Sequence, residues 1–388
     1  MTVTTLLDAG AMLRAAQDAT GLGDWGDPTF ISRFEQAVDK IRGARMDEEG
    51  ELAAVANIHW LLTDRLRFFD DHKTYDLDRE VIERPLFVTG EPRSGTTLLH
   101  ALLSVDPEAR ALRFWEVMHP SPPPGLAAPD DPRRAQADAE WREINAHLPQ
   151  WLKSHPYNDM LGDGLPEDER SWAFDFRAMT PTGWWRVPMG MGVAGLPVDA
   201  PVQYRIHKMM LQAIQHGQPK KKWVLKGFHA GRFPAFFDAY PDARLIYIHR
   251  DPVQSIASRI QMVADLTEGL TGKVDMAEQS RLHTRLGRES FHAIMDNPMI
   301  DDPRILHVRY QDFVKDQIGV IRAFYEFAGY ELTPAAETAM RDYLVGNKGD
   351  RHGKFVYSTD LIDGDVEAIH AEFAAYRVRY GIDIERRG

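Results

Sequence analysis

The sequence predicts an α/β protein: a parallel β-sheet flanked by helices, with an N-terminal helical extension and a mostly helical insertion. Three observations carry this. Apolar runs of strand length, "RPLFVTG", "KKKWVLKG", "ARLIYIHRDP" and "PRILHVRYQD", alternate with helical patterns, as the crossovers of a parallel sheet require. The first run is unbroken and ends at a glycine, the pattern of a strand buried on both faces that enters a turn. The segment before it carries apolar residues at helical spacing.

Residues 1–80 form the helical extension, with "ISRFEQAVDKIRGARM" and "ELAAVANIHWLLTDRLRFFDDH" as its clearest helices. Residues 81–388 form the α/β domain. Its first strand, "RPLFVTG", leads into a helix, "GTTLLHALLSVDP", stopped by Asp106 and Pro107. The proline-rich "HPSPPPGLAAPDDP" breaks the pattern and opens an insertion at about 120–220. Within it, residues 141–185 hold five of the nine tryptophans (Trp141, Trp151, Trp172, Trp184 and Trp185), and "VPMGMGVAGLP" reads as a loop. Helices follow in "RFPAFFDAY", "PVQSIASRIQMVADL" and "IGVIRAFYEFAG", and "GDVEAIHAEFAAYRVRYG" reads as one terminal helix.

Composition narrows the function. A hydrophobic content of 44% and a charged content of 27% belong to an ordinary globular protein. No apolar run reaches the roughly 18 residues of a membrane span, and no basic stretch precedes an apolar core at the N-terminus. A cytoplasmic location is therefore expected. With no cysteine there is no disulfide, thiol nucleophile or thiolate metal site. A net charge of −12 disfavours nucleic acid and other polyanionic partners, while a local basic cleft can still hold a small anion. The oligomeric state is not legible.

The chemistry concentrates in two motifs. In "GEPRSGTT", Gly90 and Gly95 stand at Walker A spacing, but Thr96 replaces the lysine and the positive charge moves back to Arg93. A strand, a glycine turn and a helix N-terminus make an anion site. Ser94, Thr96 and Thr97 add hydroxyls, and Arg93 adds a fork of charged donors. The plain alternative is a glycine-rich turn with surface hydroxyls. In "HRDPVQSIAS", Arg250 ends a strand and Ser258 lies two turns into the next helix, facing the crevice where α/β sheets bind ligands. A capping Asp251 beside a surface arginine is the alternative there.

Two anion sites imply a ligand charged at both ends. "PRSGTT" after a strand, with an arginine eight residues before a serine in "RDPVQSIAS", resembles the sulfotransferases that use 3′-phosphoadenosine 5′-phosphosulfate (PAPS). The resemblance runs from about Arg84 onward through "WVLKGFHAGRF", "FPAFFDAYPDARLIYIHRDP", "LHVRYQD" and "HGKFVYSTD", in the order seen in bacterial members. It implies a P-loop-like sheet and the product adenosine 3′,5′-bisphosphate (PAP). It implies no metal, since a sulfuryl group carries less charge than a γ-phosphoryl and needs no bridging Mg²⁺.

The resemblance also implies site residues. Arg93, with Ser94, Gly95, Thr96 and Thr97, would hold the 5′-phosphosulfate, and Arg250 with Ser258 the 3′-phosphate. Lys226, ending "WVLK", matches a family lysine near the sulfuryl group. Two residues compete for the base that takes the acceptor's proton: His229, three positions after Lys226, and Glu116 in "LRFWEV". The late basic segment "GNKGDRHGKFVYS" offers Lys348, Arg351, His352 and Lys354 to the 3′-phosphate without distinguishing them. The tryptophan-rich insertion suits a small apolar or aromatic acceptor with a hydroxyl or amine. "LPEDERSW" reads either as an acidic site for a cationic acceptor or as a helix start. The competing functions are a P-loop kinase or NTPase and a nucleotide-binding protein without catalysis.

Overall fold

The computed structural model describes residues 6–43, 48–157, 159–176 and 199–385. The expected Trp184, Trp185 and "VPMGMGVAGLP" loop lie outside the described residues. Three helices lead the chain: α1 (Ala9–Thr20), α2 (Phe30–Arg42) and α3 (Glu48–Thr74). Asp8 caps α1, its carboxylate accepting from the Ala11 N–H at 2.6 Å. Arg33 of α2 and Arg65 of α3 both reach the buried Asp175, at 2.6 and 3.2 Å. Arg33 also pairs with Asp27 at 2.7 Å, and the shared Asp175 carboxylate ties α2 and α3 to the segment around it.

The sheet contains β1 (Leu86–Gly90), β2 (Ala109–Arg110), β3 (Lys222–Lys226), β4 (Arg244–His249) and β5 (Ile305–Arg309), in the order β2-β3-β1-β4-β5 with every pairing parallel. Val88 of β1 lies opposite Lys226 on one side and Ile246 on the other, so the ends of β1, β3 and β4 open onto one crevice. The alternating side chains of β1 serve two cores, which explains its unbroken apolar run. Leu86 and Val88 pack with Leu99 and Leu103 of α4 (Thr96–Ser104), and Phe87 packs on the opposite face.

The connections are helical. Between β2 and β3 lie α5 (Phe114–Met118), α6 (Pro132–His147), α7 (Trp151–Ser154) and α8 (Ala200–Gln215), with a 3₁₀ segment at Asp168–Asp175. Then come α9 (Phe233–Ala239) before β4, and α10 (Pro252–Thr271) and α11 (Met276–Met295) before β5. After β5 come α12 (Tyr310–Lys315), α13 (Gln317–Ala328), α14 (Pro334–Gly346), α15 (Val366–Glu372) and α16 (Ala374–Tyr380). The expected single terminal helix is thus two, parted at Phe373, whose backbone leaves helical geometry (φ −95°, ψ 19°) while its ring is buried 5.5 Å from Phe291. Among the described residues no helix is long and apolar enough to cross a membrane.

Candidate active site

The turn between β1 and α4 is built for an anion. Gly95 caps α4 with φ +88°, a conformation costly for residues with a side chain. The first N–H groups of α4 have no carbonyl of their own helix to bond. Ser94 is fully buried, and its Oγ has no hydrogen-bond partner among the described residues. This orphaned hydroxyl beside free helix N–H groups fits the phosphosulfate end of PAPS. Arg93 also sits at positive φ (+72°), a strained setting for a non-glycine residue. Its Nε donates to Ser258 Oγ at 3.0 Å, its Nη1 donates to the Ser154 carbonyl at 2.8 Å, and its guanidinium lies 4.8 Å from the Phe355 ring centroid.

Arg250 lies just beyond β4 and is buried, not a surface arginine. Its Nη1 donates to the Arg93 carbonyl at 2.6 Å, its Nη2 to Tyr357 Oη at 3.1 Å, and its Nε and Nη2 to the Glu385 carboxylate at 3.0 and 2.9 Å. Burial works against the Arg250 charge, but the hydrogen bonds to Glu385 outweigh it and raise its pKa. Asp251 does cap α10, accepting from the Val253 N–H at 3.2 Å. Ser258, two turns on, is buried against Arg93.

Lys226 ends β3, and its Nζ donates to Glu167 Oε1 at 2.6 Å. Glu167 stands at the head of the Asp168–Asp175 segment and keeps 35% of its side chain exposed. His229 turns the other way, into the core. Its Nε2 meets Asp168 Oδ2 at 3.0 Å, and its Nδ1 meets Tyr204 Oη at 2.8 Å. Burial pushes the Asp168 carboxyl up, but the charge and hydrogen bond of His229 outweigh it and hold it at about 2. Glu116 is buried too. It pairs with Arg110 and accepts from the Arg113 N–H at 2.8 Å, closing the capping box of α5, and burial raises its pKa against the pull of Arg110.

One cavity of about 1220 Å³ joins these parts. Its polar wall includes Arg93, Gly95, Thr96, Thr97, Lys226, Glu167, Arg250 and Ser258. Its apolar wall includes Phe114, Trp141, Trp151, Leu266 and Leu270. Of the tryptophans expected to form an acceptor wall, Trp141 and Trp151 do line it, whereas Trp172 is in the core. Neither expected base reaches the cavity: Glu116 is spent on the α5 cap and Arg110, and His229 on Asp168 and Tyr204. Of the late basic segment, Lys354 lines the cavity; Arg351 and His352 instead hold Asp159 at 2.9 and 2.8 Å, and Lys348 is exposed. The sequence signal for Glu167 was the acidic run after Pro166, whose first carboxylate meets Lys226.

A family model described as the sulfotransferase family matches residues 85–181 and 197–334, more than half of the chain. The chain belongs to the sulfotransferase family. It takes its sulfuryl group from PAPS, and the kinase alternative is not favoured. This sulfotransferase is 26% identical over 291 residues to the omega-hydroxy-beta-dihydromenaquinone-9 sulfotransferase Stf3 of Mycobacterium tuberculosis, the match covering 68% of each chain. It superposes on the sulfotransferase STF9 of Mycobacterium avium with a TM-score of 0.82 at 27% identity over the whole of both chains. STF1 of Mycobacterium tuberculosis shares the fold, with a TM-score of 0.68 at 24% identity over 95% of this chain and 98% of that one.

Proposed function

We propose that this sulfotransferase acts on a hydroxyl of a small apolar acceptor, with Glu167 as the base. The observation that carries this is the Glu167–Lys226 pair, a carboxylate and an ammonium 2.6 Å apart in the wall of a cavity that is polar on the Arg93 side and aromatic on the other. PAPS supplies the sulfuryl group. Arg93, Ser94 and the α4 N-terminus with Gly95, Thr96 and Thr97 take its phosphosulfate end, while Arg250, Ser258 and Lys354 take the 3′-phosphate. Glu167 accepts the acceptor's proton as the new O–S bond forms. Lys226 and Arg93 neutralise the bridging oxygen of the departing bisphosphate as the old S–O bond breaks. The Stf3 relative is named for a hydroxylated dihydromenaquinone; an acceptor of that apolar character suits Trp141, Trp151, Leu266 and Leu270. Residues 1–80 act as a helical extension of the transferase domain, and the insertion at about 120–220 shapes the acceptor wall.

The test is Glu167→Gln assayed with labelled PAPS. Transfer to an aliphatic alcohol should fall by about 10²–10⁴, the usual worth of a positioned base. Transfer to an acidic phenol should fall less, and the rise in melting temperature given by PAP should persist. A near wild-type rate on the alcohol removes Glu167 as the base. PAP binding without transfer to any of a panel of hydroxylated acceptors would favour a non-catalytic nucleotide-binding protein.

A further inference from the structure

The cavity holds a further pair of polar groups that the assignments above leave unused. Arg259 follows Ser258 on α10 and lines the cavity, and His283 lines it from α11. The two helices are joined by a short turn and run side by side, with Gly287 of α11 against Ile256 of α10. One turn on from Ile256 and one turn back from Gly287, Arg259 and His283 are neighbours across that contact. The Arg259 charge also acts on His283.

Both groups are left over. Arg259 makes no hydrogen bond or ion pair among the described residues, although desolvation presses on its charge. The acid acting on it is Glu91, whose oxygens already accept from the Tyr247 hydroxyl at 3.3 Å and the Ser290 hydroxyl at 2.7 Å. His283 is 4% exposed, and neither ring nitrogen has a hydrogen-bond partner among the described residues. Burial, with the Arg259 charge acting in the same sense, brings its pKa down to about 4, so the ring is neutral and offers one N–H. Val263, Leu266, Leu282 and Leu286 add apolar surface, and Glu91, Tyr247 and Ser290 line the same cavity, bonded to one another. The buried His283 ring would ordinarily be satisfied, and here it and the half-buried Arg259 both line the space an acceptor would fill.

We propose that Arg259 and His283 form an anchoring subsite that takes a carboxylate on the acceptor, distinct from the hydroxyl that is sulfated. A guanidinium offers a fork of donors matched to two carboxylate oxygens, and the neutral imidazole adds a third donor. The favoured acceptor class is an apolar chain with a hydroxyl at one end and a carboxylate at the other. This rests on reading the cavity as the acceptor site.

The test compares 10-hydroxydecanoic acid with 1,10-decanediol, which differ only at one terminus, by calorimetric titration of the protein with and without PAP. The hydroxy acid should bind at least tenfold more tightly. Arg259→Met and His283→Leu should each shrink that preference several-fold, and Arg259→Lys should keep part of it. A normal rise in melting temperature with PAP certifies that each variant is folded. Equal affinities in the parent protein, no measurable binding of the acid, or a preference retained in all variants overturns the subsite. Loss of PAP binding or of sulfuryl transfer in the parent protein would instead strike the reading of the active site, because the acid–diol comparison without PAP decides the subsite independently.

Discussion

Arg93 does two things that its place in the loop makes inseparable. Its backbone carbonyl receives Arg250 and its side chain holds Ser258, so it links both halves of the proposed PAPS site before any ligand enters. Arg93→Ala removes the charge proposed to act on the bridging oxygen, and turnover with PAPS should fall by about 10²–10³. PAP affinity should change much less, because that charge counts most in the transition state. Arg93→Lys should restore part of the rate, keeping the charge without the fork. Rate and affinity falling together would make Arg93 a binding residue only. The places of Arg93, Arg250 and Ser258 were legible because motif spacing fixes them: a glycine turn, a strand end, and two turns along a helix. The base was not. His229 is close to Lys226 in sequence, but beyond a strand end nothing in the spacing says which way a side chain turns, and His229 turns toward Phe87 and Asp168. Glu167 is 59 residues from Lys226, so only the fold brings the two together.

At the scale of elements, β1, β3 and β4 were legible because burial on both faces gives each an apolar run; β5, of which only Ile305 is fully buried, shows a weaker one, and the two-residue β2 is too short to show any period. The turn after β3 is where elements constrain one another most. The Gly227 N–H donates to the Val88 carbonyl at 3.2 Å, and Thr89 Oγ1 donates to the Gly227 carbonyl at 2.7 Å, so its backbone is held on both sides. A Cβ at Gly227 would lie 2.0 Å from Asp168 Oδ1, and Asp168 is held in turn by His229. Gly227→Ala should therefore cost about 1–3 kcal/mol, read as a lower urea midpoint, since neither side can yield. An unchanged midpoint would mean that the Asp168–His229 pair moves freely. The same pair sets a pH dependence. Asp168 titrates at about 2 in the folded protein against an ordinary 3.8, so the stability it contributes is complete above pH 4 and is lost as pH falls toward 2. The contribution is on the order of 2 kcal/mol. Between pH 5 and pH 3, Asp168→Asn should lose less stability than the parent protein does. Parallel losses in the two would place the acid sensitivity elsewhere.

At the scale of the whole molecule, chain segments far apart in sequence gather cations around one cavity in a protein whose net charge is −12. The loop after β1, the end of β3, the residues after β4 and Lys354 each bring positive charge, and this concentration gives an anionic nucleotide a place in an otherwise acidic molecule. Glu385 works against it. Its carboxylate engages the Nε and Nη2 edge of Arg250 while Arg93 and Tyr357 take further donors, leaving little of that guanidinium for a 3′-phosphate. Its own N–H is anchored to Asp251 Oδ2 at 2.9 Å, so the carboxylate is held where it is. PAP, which carries the 3′-phosphate, should raise the melting temperature well above the effect of AMP, which lacks it. In Glu385→Gln the negative charge beside Arg250 is gone, and PAP affinity should rise about tenfold, adding about 1.4 kcal/mol to PAP-linked stabilisation at saturating ligand. The AMP response should not move, because AMP has no group to place there. A fall in PAP affinity would show that Glu385 serves to orient Arg250 and does not compete for it. Equal shifts from PAP and AMP in the parent protein would withdraw the 3′-phosphate from Arg250 and Ser258 altogether.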